Sequence, residues 1–280
     1  MNFLKRTVTA VFFAAVMLFC IIKGGIWFIG LGALITLLTT VEFTGLVNRY
    51  KGAHVSRLWS AVSALLLYAA IAFTAQGSGT ILHFLPFILS LIVITVRQLY
   101  IKQPNPSTDI ALTLMPLMYI ALPFSLLPVL GYCFSAEPGQ YSFVIPLSLF
   151  IFLWSNDVGA YCTGCTIGRH KLFERISPKK TWEGSAGGAV LTVLAAWLLH
   201  RFLPDMYSFM PVWVWIGMAA VTVLFGTWGD LFESLLKREM GIKDSGRILP
   251  GHGGMLDRFD SALLAIPATA IWLSIAMTVL

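Results

Sequence analysis

Residues 81–96 read ILHFLPFILSLIVITV, and residues 8–22 read VTAVFFAAVMLFCII. Neither stretch contains Asp, Glu, Lys or Arg, and neither alternates regularly between apolar and polar residues. A strand of a membrane β-barrel would alternate in this way over about ten residues, whereas a continuous apolar run is typical of a helix that crosses a bilayer. The sequence therefore predicts membrane-spanning helices.

The composition of the whole chain agrees with this interpretation. Of the 280 residues, 58% are apolar and 11% are charged, and the mean hydropathy is +0.82. A soluble domain carries about 25% charged residues, so an ordinary soluble protein is excluded. At about 20 residues per span, the length leaves no room for a separate soluble domain, and we expect one membrane domain over residues 1–280.

The predicted fold class is all-α, a polytopic bundle of about nine transmembrane helices with a cytoplasmic N-terminus. The fifth run contains Pro116, Pro123 and Pro128, so we expect a kinked or partly broken helix there. The first run is interpreted as a membrane anchor rather than a signal peptide, because Gly24 and Gly25 lead straight into the second run. The predicted spans are residues 8–22, 26–42, 58–75, 80–96, 110–133, 143–160, 186–203, 211–229 and 262–280.

Basic residues support this topology. With the N-terminus in the cytoplasm, 17 of the 19 Lys and Arg residues fall on the cytoplasmic side, and the exceptions are Lys23 and Arg201. Such an asymmetry follows the positive-inside rule. It also accounts for the net charge of +6 through anionic lipids and a polyphosphate ligand, with no nucleic acid as a partner.

Acidic residues show where the chemistry lies. Only Glu42, Asp109 and Glu137 precede residue 151, and the other ten acidic residues follow it. Mixed acidic and basic residues at a membrane surface are typical of a site for metal ions and phosphates. We therefore expect residues 1–150 to be spans without catalytic motifs, and residues 151–280 to form the catalytic part, with cytoplasmic loops at 161–185 and 230–261.

Two helix faces are predicted to carry the reactive groups. If the eighth helix continues past residue 229, Asp230, Ser234 and Lys237 share one of its faces. Asp257 and Asp260 are three residues apart at the start of the last span and share another. Asp230 brought near Asp257 would supply the oxygen ligands that Mg²⁺ prefers.

Between these faces, residues 250–254 read PGHGG. Glycine lets successive backbone N–H groups approach a phosphate closely. Alternatively, the glycines could simply form a turn, the acidic residues could favour a helix start and the basic residues could anchor the topology. Because all of these residues occur together in the single loop at 230–261, we favour a phosphate site. The basic residues available nearby are Lys237, Arg238, Lys243 and Arg247.

This string resembles the signature of the phosphatidate cytidylyltransferases, the CDP-diacylglycerol synthases. Residues 156–161, NDVGAY, resemble the family's Asp-x-x-Ala-Tyr stretch at the end of a span, and residues 177–184, SPKKTWEG, resemble its Ser-Pro-Lys-Lys-Thr-x-Glu-Gly loop. Ser177 followed by Pro178 predicts a helix N-cap and first turn that open the seventh span. The positions that match the signature are Ser234, Lys237, Arg238, Lys243, Asp244, Gly246, Leu249, Pro250, Gly251, His252, Gly253, Gly254, Asp257, Arg258 and Asp260.

The resemblance implies transfer of the cytidylyl group from CTP to phosphatidic acid, which gives CDP-diacylglycerol and pyrophosphate. It implies Asp230 and Asp257 as ligands of Mg²⁺, with Asp260 as a third ligand or a partner of one, and it leaves open K⁺ as a further cation. Lys237 is expected to act in catalysis beside these acids. The residues expected to bind the substrates are Asp157, Ser177, Lys179, Lys180, Thr181, Ser234, Arg238, Lys243, Asp244, Gly251, His252, Gly253, Gly254 and Arg258.

The expected location is the plasma membrane, the inner membrane of the cell, with membrane lipids around the bundle and the active site facing the cytoplasm. A homodimer is suggested by the resemblance alone. Two other functions stay open at this point: a CTP-dependent kinase acting on a polyprenol or another lipid, which would transfer the γ-phosphate, and a transporter. A transporter would carry charges through its mid-span positions, whereas the acids here cluster towards one membrane face.

Overall fold

The computed structural model describes residues 3–137, 139–246, 248 and 253–280, which form a bundle of long helices with one short antiparallel hairpin. The hairpin pairs β1 (Lys171–Phe173) with β2 (Ser177–Thr181). The helices are α1 (Phe3–Lys23), α2 (Gly25–Tyr50), α3 (Arg57–Ala75), α4 (Leu85–Tyr100, after a 3₁₀ turn at Ile81–Phe84), α5 (Pro106–Pro116), α6 (Leu122–Tyr132), α7 (Val144–Ile167), α8 (Trp182–Phe202), α9 (Pro204–Tyr207), α10 (Val212–Glu239) and α11 (Leu256–Val279).

Eight helical segments in this described part of the chain are long and apolar enough to cross a membrane, and the apolar part of α1, Thr7–Lys23, is a shorter one. All nine predicted spans fall on these segments, so the prediction of a polytopic helical membrane protein is confirmed. Large apolar side chains such as Ile81, Leu99 and Ile271 are exposed on the outside of the bundle. Lipid chains would cover them in a membrane.

The proline-rich fifth span is one continuous helical segment with a widened turn in its middle. A π-helical turn, Leu117–Ala121, follows Pro116 and joins α5 to α6. Proline lacks an N–H and its ring crowds the preceding turn, so a local change of helix type is the expected result. The turn places the buried ring of Tyr119 against Phe43 on α2 and Phe232 on α10, with ring centroids 6.4 Å and 5.1 Å away.

Two helices extend beyond their predicted spans. Helix α10 continues to Glu239, which confirms that Asp230, Ser234 and Lys237 lie on one helix. Helix α7 continues to Ile167, so Asp157 lies inside a helix and not at its end as predicted. Both extensions carry polar residues, which a hydropathy window tuned to the bilayer core leaves out.

The predicted start of the seventh span at Ser177 and Pro178 is wrong. Ser177 lies in β2 opposite Phe173, and α8 begins only at Trp182. Thr181 is the N-cap: its side chain accepts a hydrogen bond from the backbone N–H of Gly184 at 3.1 Å. A proline is tolerated on an edge strand because no partner needs its missing N–H, so the Ser-Pro pair did not identify the helix start.

Glycines bring α7 and α8 close together. A Cβ on Gly159 would lie 2.8 Å from the carbonyl oxygen of Gly187 and 2.9 Å from the Cα of Gly188, closer than carbon atoms normally approach. Small residues at such a crossing allow helix backbones to pack without intervening side chains. The close approach places Asp157 of α7 beside the hairpin that precedes α8.

The core joins the two halves of the chain. Helix α10 packs against α7, α8 and α11, while α11 also packs against α2 and α6. The ring of Phe259 on α11 makes edge contacts with Phe124 on α6 and Phe13 on α1, at 5.4 Å and 5.8 Å between centroids. Helices of the first 150 residues therefore reach the first turns of α11.

Candidate active site

Three acidic side chains meet between α10 and α11. One carboxylate oxygen from each of Asp230, Glu233 and Asp260 lies within 4.8 Å of the other two. Glu233 is fully buried, and its Oε1 has no hydrogen-bond partner among the described residues. Carboxylate oxygens in this arrangement are suitable ligands for a hard divalent cation such as Mg²⁺, so the residues present fit the metal that the sequence predicted.

Asp257, one of the predicted metal ligands, forms hydrogen bonds with a lysine and with two backbone amides. Its Oδ1 accepts a hydrogen bond from Nζ of Lys237 at 2.9 Å, and its Oδ2 accepts the backbone N–H groups of Ser245 at 2.9 Å and Gly254 at 2.8 Å. Lys237 also forms an ion pair with Glu233 on its own helix. The acidic cluster thus unites Asp230 and Asp260 with Glu233, while Asp257 holds a lysine and two loop amides.

The hairpin is tied to α10 at the acidic cluster. Lys180 of β2 forms an ion pair with Asp230, whose Oδ1 also accepts a hydrogen bond from Ser234 at 3.3 Å. Arg238, near the end of α10, donates from Nε to the carbonyl oxygen of Ile176 at 3.3 Å. These contacts hold the hairpin, with Lys180, beside the face of α10 that carries Asp230 and Ser234.

Two cavities meet at this cluster. The first, of about 450 Å³, lies between α1, α7, α10 and α11, and we call it the α1 cavity. The second, of about 330 Å³, lies between α7, the hairpin and α8, and we call it the hairpin cavity. Asp157, Asp230 and Ser261 line both. The same carboxylates are therefore within reach of two separate spaces.

The linings of the two cavities differ. Apolar side chains such as Phe13, Phe150 and Trp154 form much of the α1 cavity, and Asp257, Arg258 and Asp260 line its polar part. The hairpin cavity contains Lys179, Lys180 and Thr181. One cavity suits an amphipathic ligand and the other an anion.

The remaining predicted residues divide into three groups. Ser177 is half-buried in β2, while Lys243 and Asp244 are exposed on the segment after α10. Gly253 has a positive φ of 80°, and the N–H of Gly254 is donated to Asp257. Gly251 and His252 lie outside the described residues, so their predicted roles stay predictions.

Sequence reasoning missed two carboxylates. Glu233 lies three residues after Asp230, on the same helix face, and that periodicity could have identified it. Glu42 of α2 accepts hydrogen bonds from three residues close to Asp257. An acidic residue inside an apolar run is a functional candidate by default, and this was the available signal for Glu42.

A third carboxylate has a structural role that the motif match did not assign. Glu183 accepts hydrogen bonds from the backbone N–H groups of Arg169 at 3.1 Å and His170 at 3.2 Å, and from Nδ1 of His170 at 2.5 Å. It therefore folds the start of the hairpin back onto the first turn of α8.

Comparison with known proteins identifies the family of this chain. Residues 4–276 match the model of the cytidylyltransferase family. A phosphatidate cytidylyltransferase of Staphylococcus aureus (strain COL) is 34% identical over 96% of this chain and 98% of its own length. Proteins of the same name from Staphylococcus epidermidis and Staphylococcus saprophyticus are 32% and 31% identical over the same shares. Because the match spans nearly the whole chain, this protein belongs to the cytidylyltransferase family.

Proposed function

We propose that this protein is a CTP:phosphatidate cytidylyltransferase, which makes CDP-diacylglycerol and pyrophosphate. The observation that carries the proposal is the meeting, at Asp157 and Asp230, of two cavities: one combines apolar side chains with aspartates and Arg258, and the other contains Lys179 and Lys180. The names of the relatives and the family motifs point to the same reaction.

The two linings suggest how the substrates divide. Phosphatidate would place its acyl chains along the apolar wall of the α1 cavity and its phosphate near Arg258. CTP would place its phosphates in the hairpin cavity beside Lys179 and Lys180. Lysine and arginine are suitable partners for phosphate oxygens because they combine charge with hydrogen bonding.

The reaction joins an oxygen of the phosphatidate phosphate to the α-phosphorus of CTP. The bond between that phosphorus and the oxygen bridging to the β-phosphate breaks, and pyrophosphate leaves. A phosphate monoester has a second pKa of about 6, so the nucleophile is already anionic and needs no strong base. The remaining barrier is repulsion between two anions and charge on the leaving group, which Lys179, Lys180 and Arg258 would reduce.

We propose Mg²⁺ as the cofactor, held by Asp230, Glu233 and Asp260. When bound, it would neutralise phosphate charge and stabilise the leaving pyrophosphate. This set keeps two of the three predicted ligands, and Asp257 would have to leave Lys237 to join it. K⁺ as a second cation stays a prediction from the family resemblance.

We further propose that the site faces the cytoplasm from the plasma membrane. The excess of basic residues on that side of the predicted topology supports this orientation, and CTP is a cytoplasmic nucleotide. A homodimer stays a prediction from the family resemblance.

The experiment that tests the function follows two labels of CTP. Purified protein in detergent with Mg²⁺ and either phosphatidate or a polyprenol is given CTP labelled in the cytosine ring or at the γ-phosphate. We expect the ring label in the lipid and the γ-label in pyrophosphate, with both transfers lost in Asp230→Asn. The γ-label in a lipid would instead indicate a kinase, and no lipid label with either substrate class would refute both functions.

A further inference from the structure

Glu42 lies in the C-terminal half of the second helix, in the half of the chain that carries no motif of the family. It is half-buried on α2 and faces the segment that leads into α11. It lines neither the α1 cavity nor the hairpin cavity. Its role must therefore act through the residues that it contacts.

The carboxylate of Glu42 receives three hydrogen bonds from that segment. Ser245 donates from its hydroxyl to Oε1 at 2.5 Å, the N–H of Met255 donates to Oε2 at 2.9 Å, and the N–H of Leu256 donates to Oε1 at 3.1 Å. Met255 is the N-cap position of α11, and its own side chain makes no capping hydrogen bond. Glu42 thus satisfies N–H groups that a helix start leaves without partners, and its negative charge suits the helix dipole.

Two glycines of the family signature make room for this carboxylate. A Cβ placed on Gly246 or on Gly254 would overlap the carboxylate oxygens of Glu42. Neither glycine has a positive φ, so neither is required for an unusual backbone conformation. The close approach of Glu42 gives a physical reason for glycine at both positions.

Glu42 and Asp257 contact the same two residues, Ser245 and Gly254. Ser245 gives its hydroxyl to Glu42 and its backbone N–H to Asp257. Gly254 packs against Glu42 and gives its N–H to Asp257. The position of Asp257, and through it that of Lys237 at 2.9 Å, therefore depends on where Glu42 holds the segment.

We propose that Glu42 is a positioning residue of the active site: it fixes Ser245, Gly254 and the first turn of α11 so that Asp257, which holds Lys237, faces the α1 cavity correctly. This inference rests on the proposed cytidylyl transfer. If Glu42 has this role, α2 contributes to the active site although the first half of the chain carries no motif of the family. A displacement of about 1 Å in a reacting group is enough to lower a rate about 100-fold.

The test compares Glu42→Gln and Glu42→Asp with the matched control Glu137→Gln, an exposed acidic residue in the same half of the chain. For each variant, kcat and KM are measured with CTP and phosphatidate, and hydrogen–deuterium exchange is followed by mass spectrometry. We expect Glu42→Gln to lower kcat about 10- to 100-fold. Glu42→Asp should keep more activity than Glu42→Gln, and Glu137→Gln should match the unaltered protein.

The exchange measurement separates positioning from general destabilisation. In Glu42→Gln, amide exchange should rise in residues 253–260 and stay unchanged in α3. Ser245→Ala removes one of the three hydrogen bonds, so it should lower kcat and raise amide exchange by less than Glu42→Gln does. If Glu42→Gln does not fold, Ser245→Ala is used as the test in its place. An unchanged kcat, or faster exchange throughout the bundle, would overturn the inference. An unaltered protein that transfers no cytidylyl group refutes the proposed function instead, and the exchange data still test the contact.

Discussion

Lys237 of α10 lies between two carboxylates, 2.9 Å from Oδ1 of Asp257 on α11 and ion-paired with Glu233 one turn earlier on its own helix. The side chain of Glu233 is 0% exposed, that of Asp257 is 7% exposed and that of Lys237 is 17% exposed. One positive charge therefore compensates two carboxylates that water hardly reaches. We therefore expect Lys237 to be important for stability in addition to its proposed role in the reaction.

Replacing Lys237 by methionine should destabilise the fold and abolish cytidylyl transfer. The change keeps most of the length of the side chain but leaves buried carboxylates without a counter-charge, which costs about 3–5 kcal/mol when one partner of a buried pair is removed. Denaturant unfolding in detergent measures the loss. Lys102→Met, at an exposed position, should have no such effect, and adding Glu233→Gln to Lys237→Met should recover part of the stability. Equal stability of Lys237→Met and the unaltered protein would contradict the role.

The two adjacent lysines of β2 should respond differently to substitution. Lys179 is exposed in the hairpin cavity, whereas Lys180 is paired with Asp230. Lys179→Met should raise KM for CTP about 10-fold, the effect of losing one charge-assisted hydrogen bond, with little change in kcat. Lys180→Met should also lower kcat because Asp230 loses its partner. Steady-state kinetics over a range of CTP concentrations measures both, with Lys171→Met on β1 as the control, and identical effects of the two substitutions would argue against this division.

Removing a proposed metal ligand should change how activity depends on Mg²⁺. Glu233→Gln and Asp260→Asn each take one charged oxygen from the acidic cluster. The Mg²⁺ concentration for half-maximal activity should rise at least about 10-fold, in line with the loss of metal-site partners in other proteins. Titration of activity with MgCl₂ after chelation measures the shift. Glu239→Gln, at the exposed end of α10, should leave the curve in place, and an unshifted curve for both ligand variants would count against the metal site.

Alanine at Gly159 should disrupt the crossing of α7 and α8. Its Cβ would meet the backbone of Gly187 and Gly188, so the helices would have to separate and the hairpin cavity would change shape. We expect a loss of stability of about 1–3 kcal/mol, typical of overpacking, and a higher KM for CTP. Gly30→Ala on α2 meets nothing within 4 Å and should be neutral or slightly stabilising. Thermal unfolding of both variants provides the comparison, and equal stability of the two would contradict the packing argument.

Hydropathy and motif spacing predicted the positions of the long helices and one helix face of the site, because both signals depend on local sequence. The apolar runs located the eight helical segments of the described chain that are long enough to span a membrane, and the shorter apolar helix Thr7–Lys23. The spacing of Asp230, Ser234 and Lys237 identified a helix face that α10 does carry. The prediction failed at Ser177, where a local signal for a helix start lies in a strand, since the pairing with β1 depends on residues earlier in the chain.

The contacts that could not be predicted join distant parts of the chain. Glu42 and Met255 are 213 positions apart, and no periodicity relates a residue of α2 to the start of α11. Asp257 lines the α1 cavity together with Asp230, but its hydrogen bonds to Lys237 and to two amides of the preceding segment could not be predicted. Only the packing of whole helices decides which carboxylates meet.

The shared wall of the α1 cavity and the hairpin cavity also bears on the order of events during turnover. Asp157, Asp230 and Ser261 belong to the linings of both cavities, so a ligand in one cavity would lie directly beside a ligand in the other. Under the proposed function, the two substrates would meet at these three residues, and direct transfer between them would require both to be bound at once.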